Sequence, residues 1–237
     1  TCGAAVTEAL LARRNPAEYL RLLAGLASPE GRVQLSNGQT LTRQAGWEAA
    51  AIPGEASRLL QTSFMALGAG SYDARTDRRG DGQRGLYAAE VAKLQAAITG
   101  DGAFASAGSD DATIDRLAAQ ANGGMPVTVL LRGKAGSHYV AVTGVKGDKV
   151  TYVDPRDGKA RTATLEGFRP AIEAVAFAGP ETGKVRAIRP TDAKGTLGGG
   201  ASRTRSNRSA TPWAAPRKPS ARPSRRRQRP SAPRPGP

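Results

Sequence analysis

The sequence predicts an α+β domain in which helices come first and an antiparallel sheet follows. Through about residue 125, apolar residues recur at spacings of three and four; from Pro126 onward they fall in short blocks separated by turn-like residues. Lys146-Gly147-Asp148-Lys149 is the clearest of those turns, between the blocks 138–145 (HYVAVTGV) and 150–153. The composition agrees: 39% of the 237 residues are hydrophobic and 5% aromatic, which suits one globular core of modest bulk plus an appendage.

Each element has its own signal. Val6, Ala9, Leu10 and Leu11 follow Cys2 at helical spacing, which puts Cys2 at or just before a helix N-terminus. Asn15-Pro16-Ala17-Glu18 starts a second helix, with Asn as cap, Pro at the first position and Glu three residues after the cap. Tyr19, Leu22, Leu23 and Leu26 form its apolar face. Ser36-Asn37-Gly38 predicts a small hairpin or tight loop. Leu59, Leu60, Phe64 and Leu67 mark a third helix, Val91, Leu94 and Ile98 a fourth, and Ile114, Leu117 and Ala121 a fifth, closed by Gly123-Gly124. Residues 71–85 are polar and Gly-rich, a surface loop. Strands are expected at 126–131, 138–145, 150–153 and 161–165, and residues 168–177 close the domain as helix or strand. Beyond Gly179 the core-forming residues run out, with one last short strand at 184–188. From Gly195 the chain is Gly, Ser, Arg and Pro with one Trp, the composition of a disordered tail. The expected division is a domain at 1–179 and a basic tail at 180–237.

Charge and composition exclude several classes of function. No run approaches the roughly 18 apolar residues of a membrane-spanning helix. The net charge of +15 suggests nucleic acid, but residues 191–237 hold 12 Lys and Arg against the single Asp192. The body is nearly balanced. Nucleic acid or an anionic surface is therefore a partner only through the tail, where Arg222, Arg225, Arg226, Arg227 and Arg229 cluster. Trp213, the tail's only aromatic, gives little support for base stacking. One Cys and one His exclude an internal disulfide and the usual zinc sites, and no phosphate-binding glycine loop is present. Asp73, Asp77 and Asp81 lack the ligand pattern of a calcium loop. No cofactor or metal is expected. The opening Thr1-Cys2-Gly3, with neither initiator Met nor leader, reads as a processed chain or excised fragment.

Three residues in one arrangement carry chemistry. A nucleophilic thiol needs help to ionise, because a free thiol is mostly protonated at neutral pH. Cys2 at a helix start gains the positive end of the helix dipole, and Gly3-Ala4-Ala5 leave room for a substrate to approach. His138, the chain's single histidine, begins a strand and is the available base. Asp154, on the next strand, is the candidate to orient it. Register decides whether it does. A three-residue loop, Lys146-Gly147-Asp148, sets Asp154 opposite Val140 and on the face of His138; a two-residue loop, Gly147-Asp148, turns Asp154 away and brings Asp157 opposite His138 instead.

The order Cys, His, then a polar orienter is papain-like. Cys2-Gly3-Ala4-Ala5, residues 136–144 (GSHYVAVTG) and 150–155 (VTYVDP) resemble the papain-like bacterial cysteine peptidases related to the double-glycine leader peptidases, the bacteriocin-processing family. That family shows Cys-Gly-Pro-small, then a His-Tyr-Val-Val-type strand, then Asp-Pro. The resemblance implies a papain-like fold and a catalytic triad of Cys2, His138 and Asp154, with Asp157 in reserve. Its substrate would be a peptide or protein. The family's Pro is Ala4 here, and its oxyanion-hole Gln would precede Cys2; Gln34, Gln44 and Gln61 have no signal placing them at the site.

The expected function is amide hydrolysis, by a peptidase or isopeptidase, with acyl transfer equally accessible chemically. A secreted or translocated bacterial effector or toxin suits a processed chain with so large a helical insertion. The rivals are a catalytically inactive binding module on the same fold and a nucleic-acid binder acting through the tail.

Overall fold

A computed structural model describes residues 1–134, 136–180 and 185. Its helices are α1 (Cys2–Arg14), α2 (Pro16–Ala27), α3 (Glu55–Ala69), α4 (Ala88–Thr99), α5 (Asp111–Asn122) and the single turn α6 (Leu165–Phe168). Two small hairpins lie among the helices, β1 (Arg32–Gln34) with β2 (Thr40–Thr42) and β3 (Tyr72–Asp73) with β4 (Arg78–Arg79). The main sheet comprises β5 (Ala103–Ala107), β6 (Val127–Gly133), β7 (Gly136–Lys146), β8 (Lys149–Asp154), β9 (Lys159–Thr164) and β10 (Ile172–Ala178). Its order is β5-β10-β6-β7-β8-β9, antiparallel throughout. The α+β reading is borne out.

Local signals act as expected. The Asn15 side chain accepts the Glu18 N–H at 3.0 Å and starts α2, and Asp110 does the same for α5 through Thr113 N–H at 2.8 Å. Residues 168–177 divide into the end of α6, a 3-10 turn and β10. Two elements escape the pattern. Residues 103–107 (AFASA) form an edge strand between two helices, because pairing with β10 supplies what their small side chains do not. The loop 71–85 contains the β3–β4 hairpin, fastened by Arg79, whose buried guanidinium bonds Glu90 at the start of α4 and lies 4.4 Å from the Tyr87 ring.

The sheet has a core on each face. Ala105, Leu130, Tyr139, Ala141, Ala174 and Ala176 meet α1, α3 and α4 on one, and four alanines there let helix backbones come close. Val129, Val140, Val142, Val150, Tyr152 and Phe177 meet Leu117 of α5 and Phe168 of α6 on the other. Each such large side chain contributes about 1.5–3 kcal/mol on burial. Val185 is buried in this second core. Apart from it and Pro180, the tail assigned to 180–237 lies outside the described residues.

Helix α1 runs through the middle of the helical layer, with Ala4 and Val6 fully buried. Gly3 sets its distance from the sheet: a Cβ there would lie 2.8 Å from Val91 Cγ2 and 3.4 Å from the Tyr139 ring. Gly3 and Ala4 therefore serve close packing, not the approach of substrate that their size suggested. We expect Gly3→Val to cost roughly 1–3 kcal/mol through overpacking, read as a lower urea midpoint with unchanged slope; an unaltered midpoint would show that α1 is free to shift.

Candidate active site

Two backbone facts bring the site together. Cys2 is the first residue of α1, whose N-cap Thr1 makes no side-chain cap, so the helix's positive end is left to the thiol. β7 also outruns β8: it pairs with β6 as far as Gly136, but with β8 only as far as Ala141 opposite Val153. The edge of β7 at 138–140 is thereby open, and the start of α1 fills it. The Tyr139 N–H helps draw the Cys2 thiol below its ordinary pKa, and the Tyr139 hydroxyl donates to Leu86 O at 3.0 Å, fixing that stretch of strand.

The register question is resolved in an unexpected way. Lys146 pairs with Lys149, so the hairpin has the two-residue loop that should have turned Asp154 away. A bulge between Val142 and Gly144 corrects it. The extra residue, Thr143, bonds Thr151 O at 3.3 Å through its hydroxyl. Beyond it, the Asn122 side chain accepts from Val145 N–H at 2.9 Å and donates to Val145 O at 2.7 Å, standing in for a neighbouring strand. Past the bulge Val142 pairs with Tyr152 and Ala141 with Val153, which carries Asp154 opposite Val140 and onto the face of His138.

His138 Nε2 lies 2.8 Å from Asp154 Oδ1. With the neutral ring's proton on Nε2, assigned from this contact, Nδ1 is left as an acceptor. Nδ1 is buried and makes no hydrogen bond of good geometry. It is nevertheless the nitrogen left for Cys2, whose sulfur and the imidazole each favour the other's charged form.

The electrostatics are directional. Burial pushes the Cys2 thiol up, but the neighbouring His138 imidazole, the Tyr139 N–H and the charge of His138 bring it below its ordinary value. Burial likewise pushes His138 down, and contacts with Cys2 and then Asp154 raise it above the usual imidazole value. Asp154 is held below the carboxylate range despite burial, by the Arg156 N–H, His138 and Arg161. The pair thus favours thiolate and imidazolium together.

The other candidates lie elsewhere. Asp157 accepts from Arg161 Nη1 at 3.0 Å and Nη2 at 2.8 Å and from Lys159 N–H, and makes no bond to His138. Gln44 bonds Tyr72 O, Gln61 bonds Glu8, and Gln34 is exposed on β1. Asp73 and Asp81 are occupied by hydrogen bonds within their own loop, and Asp77 takes the Tyr72 hydroxyl. No metal-holding cluster is found among the described residues. None of their helices is long and apolar enough to cross a membrane. A cavity of about 520 Å³ opens at the far end of α1, lined in part by Thr7, Leu11, Arg14, Ile98 and Gln120; it touches none of the three site residues. Sequence reasoning missed the Tyr139 N–H, a main-chain group, and Arg161, for which the only signal was its place four residues after Asp157.

The signs give a direct test on the chain's single cysteine. The thiolate exists above a lowered pKa and is lost as pH falls through it. Iodoacetamide alkylation of Cys2 should therefore keep its rate below the ordinary thiol range. His138→Ala should carry the midpoint upward. A wild-type midpoint at the ordinary thiol value, indifferent to His138→Ala, would mean the two groups do not interact.

Comparison with known proteins points to the cysteine hydrolases as a class. The family model described as papain-like cysteine protease AvrRpt2 matches residues 58–173, just under half of the chain; the segment holds His138 and Asp154 but begins after Cys2. No curated protein matches the chain. Among solved structures, the crystal structure of a C39-like peptidase from Bacillus anthracis matches with a TM-score of 0.36 and 15% identity, over 57% of this chain and 84% of that one, a likeness too distant to assign function. Over residues 58–173 the chain is thus similar to the papain-like cysteine proteases.

Proposed function

We propose that the protein hydrolyses amide bonds in peptides or proteins, as a peptidase or isopeptidase, with Cys2 as nucleophile, His138 as acid and base and Asp154 as orienter. The observation that carries this reading is the single row Cys2, His138, Asp154, in which the imidazole has the carboxylate at 2.8 Å on one nitrogen and the thiol on the other side. The cysteine-protease family match supports it.

The chemistry follows from that row. The thiolate attacks the substrate carbonyl carbon, and the oxyanion that forms faces the uncapped N–H groups of α1, that of Cys2 foremost. Imidazolium Nδ1–H then gives its proton to the leaving amine, whose bond to carbon breaks, and a thioester remains on Cys2. His138, now neutral, takes a proton from water as the water attacks, and collapse of the second tetrahedral intermediate frees the acid and restores the thiolate. Asp154 keeps its charge throughout and holds Nε2–H, so that Nδ1 is always the nitrogen facing sulfur. If an amine replaces water in the second half, the same residues carry out acyl transfer.

The test is cleavage of unfolded protein and of a mixed peptide library by the full chain. Wild type should cleave and Cys2→Ser should not. His138→Ala should lose roughly 10²–10⁴-fold in kcat/KM, and Asp154→Asn should lose activity while still binding substrate. Intact substrate together with measurable peptide binding, unaltered by Cys2→Ser, would replace this reading with that of a non-catalytic binding module.

A further inference from the structure

Asp154 has two oxygens, and the His138 contact uses only one. Oδ1 receives both His138 Nε2 at 2.8 Å and the Arg156 N–H at 3.0 Å. Oδ2 faces Arg161 Nη1 at 3.5 Å. Arg161 lies on β9 opposite Tyr152, hence on the sheet face that Tyr152 shares with Asp154, His138 and Val140. Its guanidinium is not free to wander: the two oxygens of Asp157 hold it at 3.0 and 2.8 Å.

From this geometry we infer that Arg161 is a positioning residue for the site: anchored on Asp157, it holds the outer oxygen of Asp154 so that the inner one stays on His138. The inference rests on the roles proposed above for Cys2, His138 and Asp154. It also gives Asp157 a different role from the one its spacing suggested, as the anchor of the arginine and not the partner of the histidine. The charged groups then alternate in sign across four elements, Cys2 on α1, His138 on β7, Asp154 on β8 and Arg161 on β9, with Asp157 in the turn beyond. Lys159, directly opposite Asp154, is the remaining charge facing this carboxylate; it is exposed. A planar fork reaching two carboxylates is a task for arginine, which lysine's point charge performs poorly.

The single histidine makes the test clean, because its ring proton resonance needs no assignment. His138 is titrated by NMR in wild type, Asp154→Asn, Arg161→Ala and Arg161→Lys. The two roles open to Arg161 predict opposite signs. A mere neighbouring positive charge, once removed, lets His138 hold its proton better and raises its pKa. A positioning residue, once removed, lets Asp154 leave the ring and lowers it. We expect Arg161→Ala to lower the His138 pKa by roughly half a unit to one unit, toward the value in Asp154→Asn, with Arg161→Lys between Ala and wild type. Arg161 is one-third exposed on an edge strand, so an unchanged melting temperature is expected. An unchanged or raised pKa in Arg161→Ala, with Asp154→Asn lowered, overturns this inference alone. A titration unmoved in Asp154→Asn as well strikes both this inference and the orienter role on which it rests.

Discussion

An imidazole offers its two nitrogens on different sides of one ring, and a site that uses both must bring partners from both directions. Here the carboxylate comes along the sheet from β8 and the thiol comes from the helical layer. They meet because β8 separates from β7 at Ala141 and the first turn of α1 takes the vacated edge. Gly3 permits that approach, since the Tyr139 ring and Val91 occupy the space a side chain would need. The four alanines on the helix-facing side of the sheet belong to the same solution. So does the Tyr139 hydroxyl, tied to Leu86 O, which keeps the open edge from fraying.

The same placement explains the direction of every titration shift at the site. Burial alone opposes charge on Cys2, His138 and Asp154, and each is carried the other way by its neighbours. Such a cluster is favourable only while intact, because removing one member leaves the others desolvated and unpaired. Asp154 has the securest support, with a main-chain N–H, the imidazole and Arg161 around one carboxylate. Cys2 and His138 have the loosest, since the imidazole Nδ1 makes no hydrogen bond.

Much of this was legible in the residues. Helical spacing after Cys2, the capping pattern at Asn15 and the change of period at Pro126 each mark what the structure contains, because they depend on local backbone chemistry. The loop between β7 and β8 was not legible in that way. Counting along a uniform ladder links the two-residue loop to the wrong face for Asp154, yet Thr143 adds the one residue that reverses the result. Bulges depend on what surrounds the strand, here the Asn122 side chain on Val145, and leave almost no local mark. Strand β5 was hidden for a related reason: AFASA has no alternation, and its partner β10 lies some seventy residues further on. Gly3 shows the opposite failure, a small residue correctly singled out and given the wrong task.

The distance along the chain between the members of the site has a consequence during synthesis. Cys2 is made well before His138 and Asp154, which follow it only after five helices and two strands of the main sheet. No nascent fragment that stops short of β8 can assemble the row. Until then Cys2 is an ordinary cysteine, and it acquires its partners only when contacts between the two ends of the domain close. Such long-range contacts are among the slowest to form and the first to be lost on partial unfolding. The topology thus works as a timer: the thiol and its two partners pass through folding as separate pieces and meet only when the two ends of the domain close.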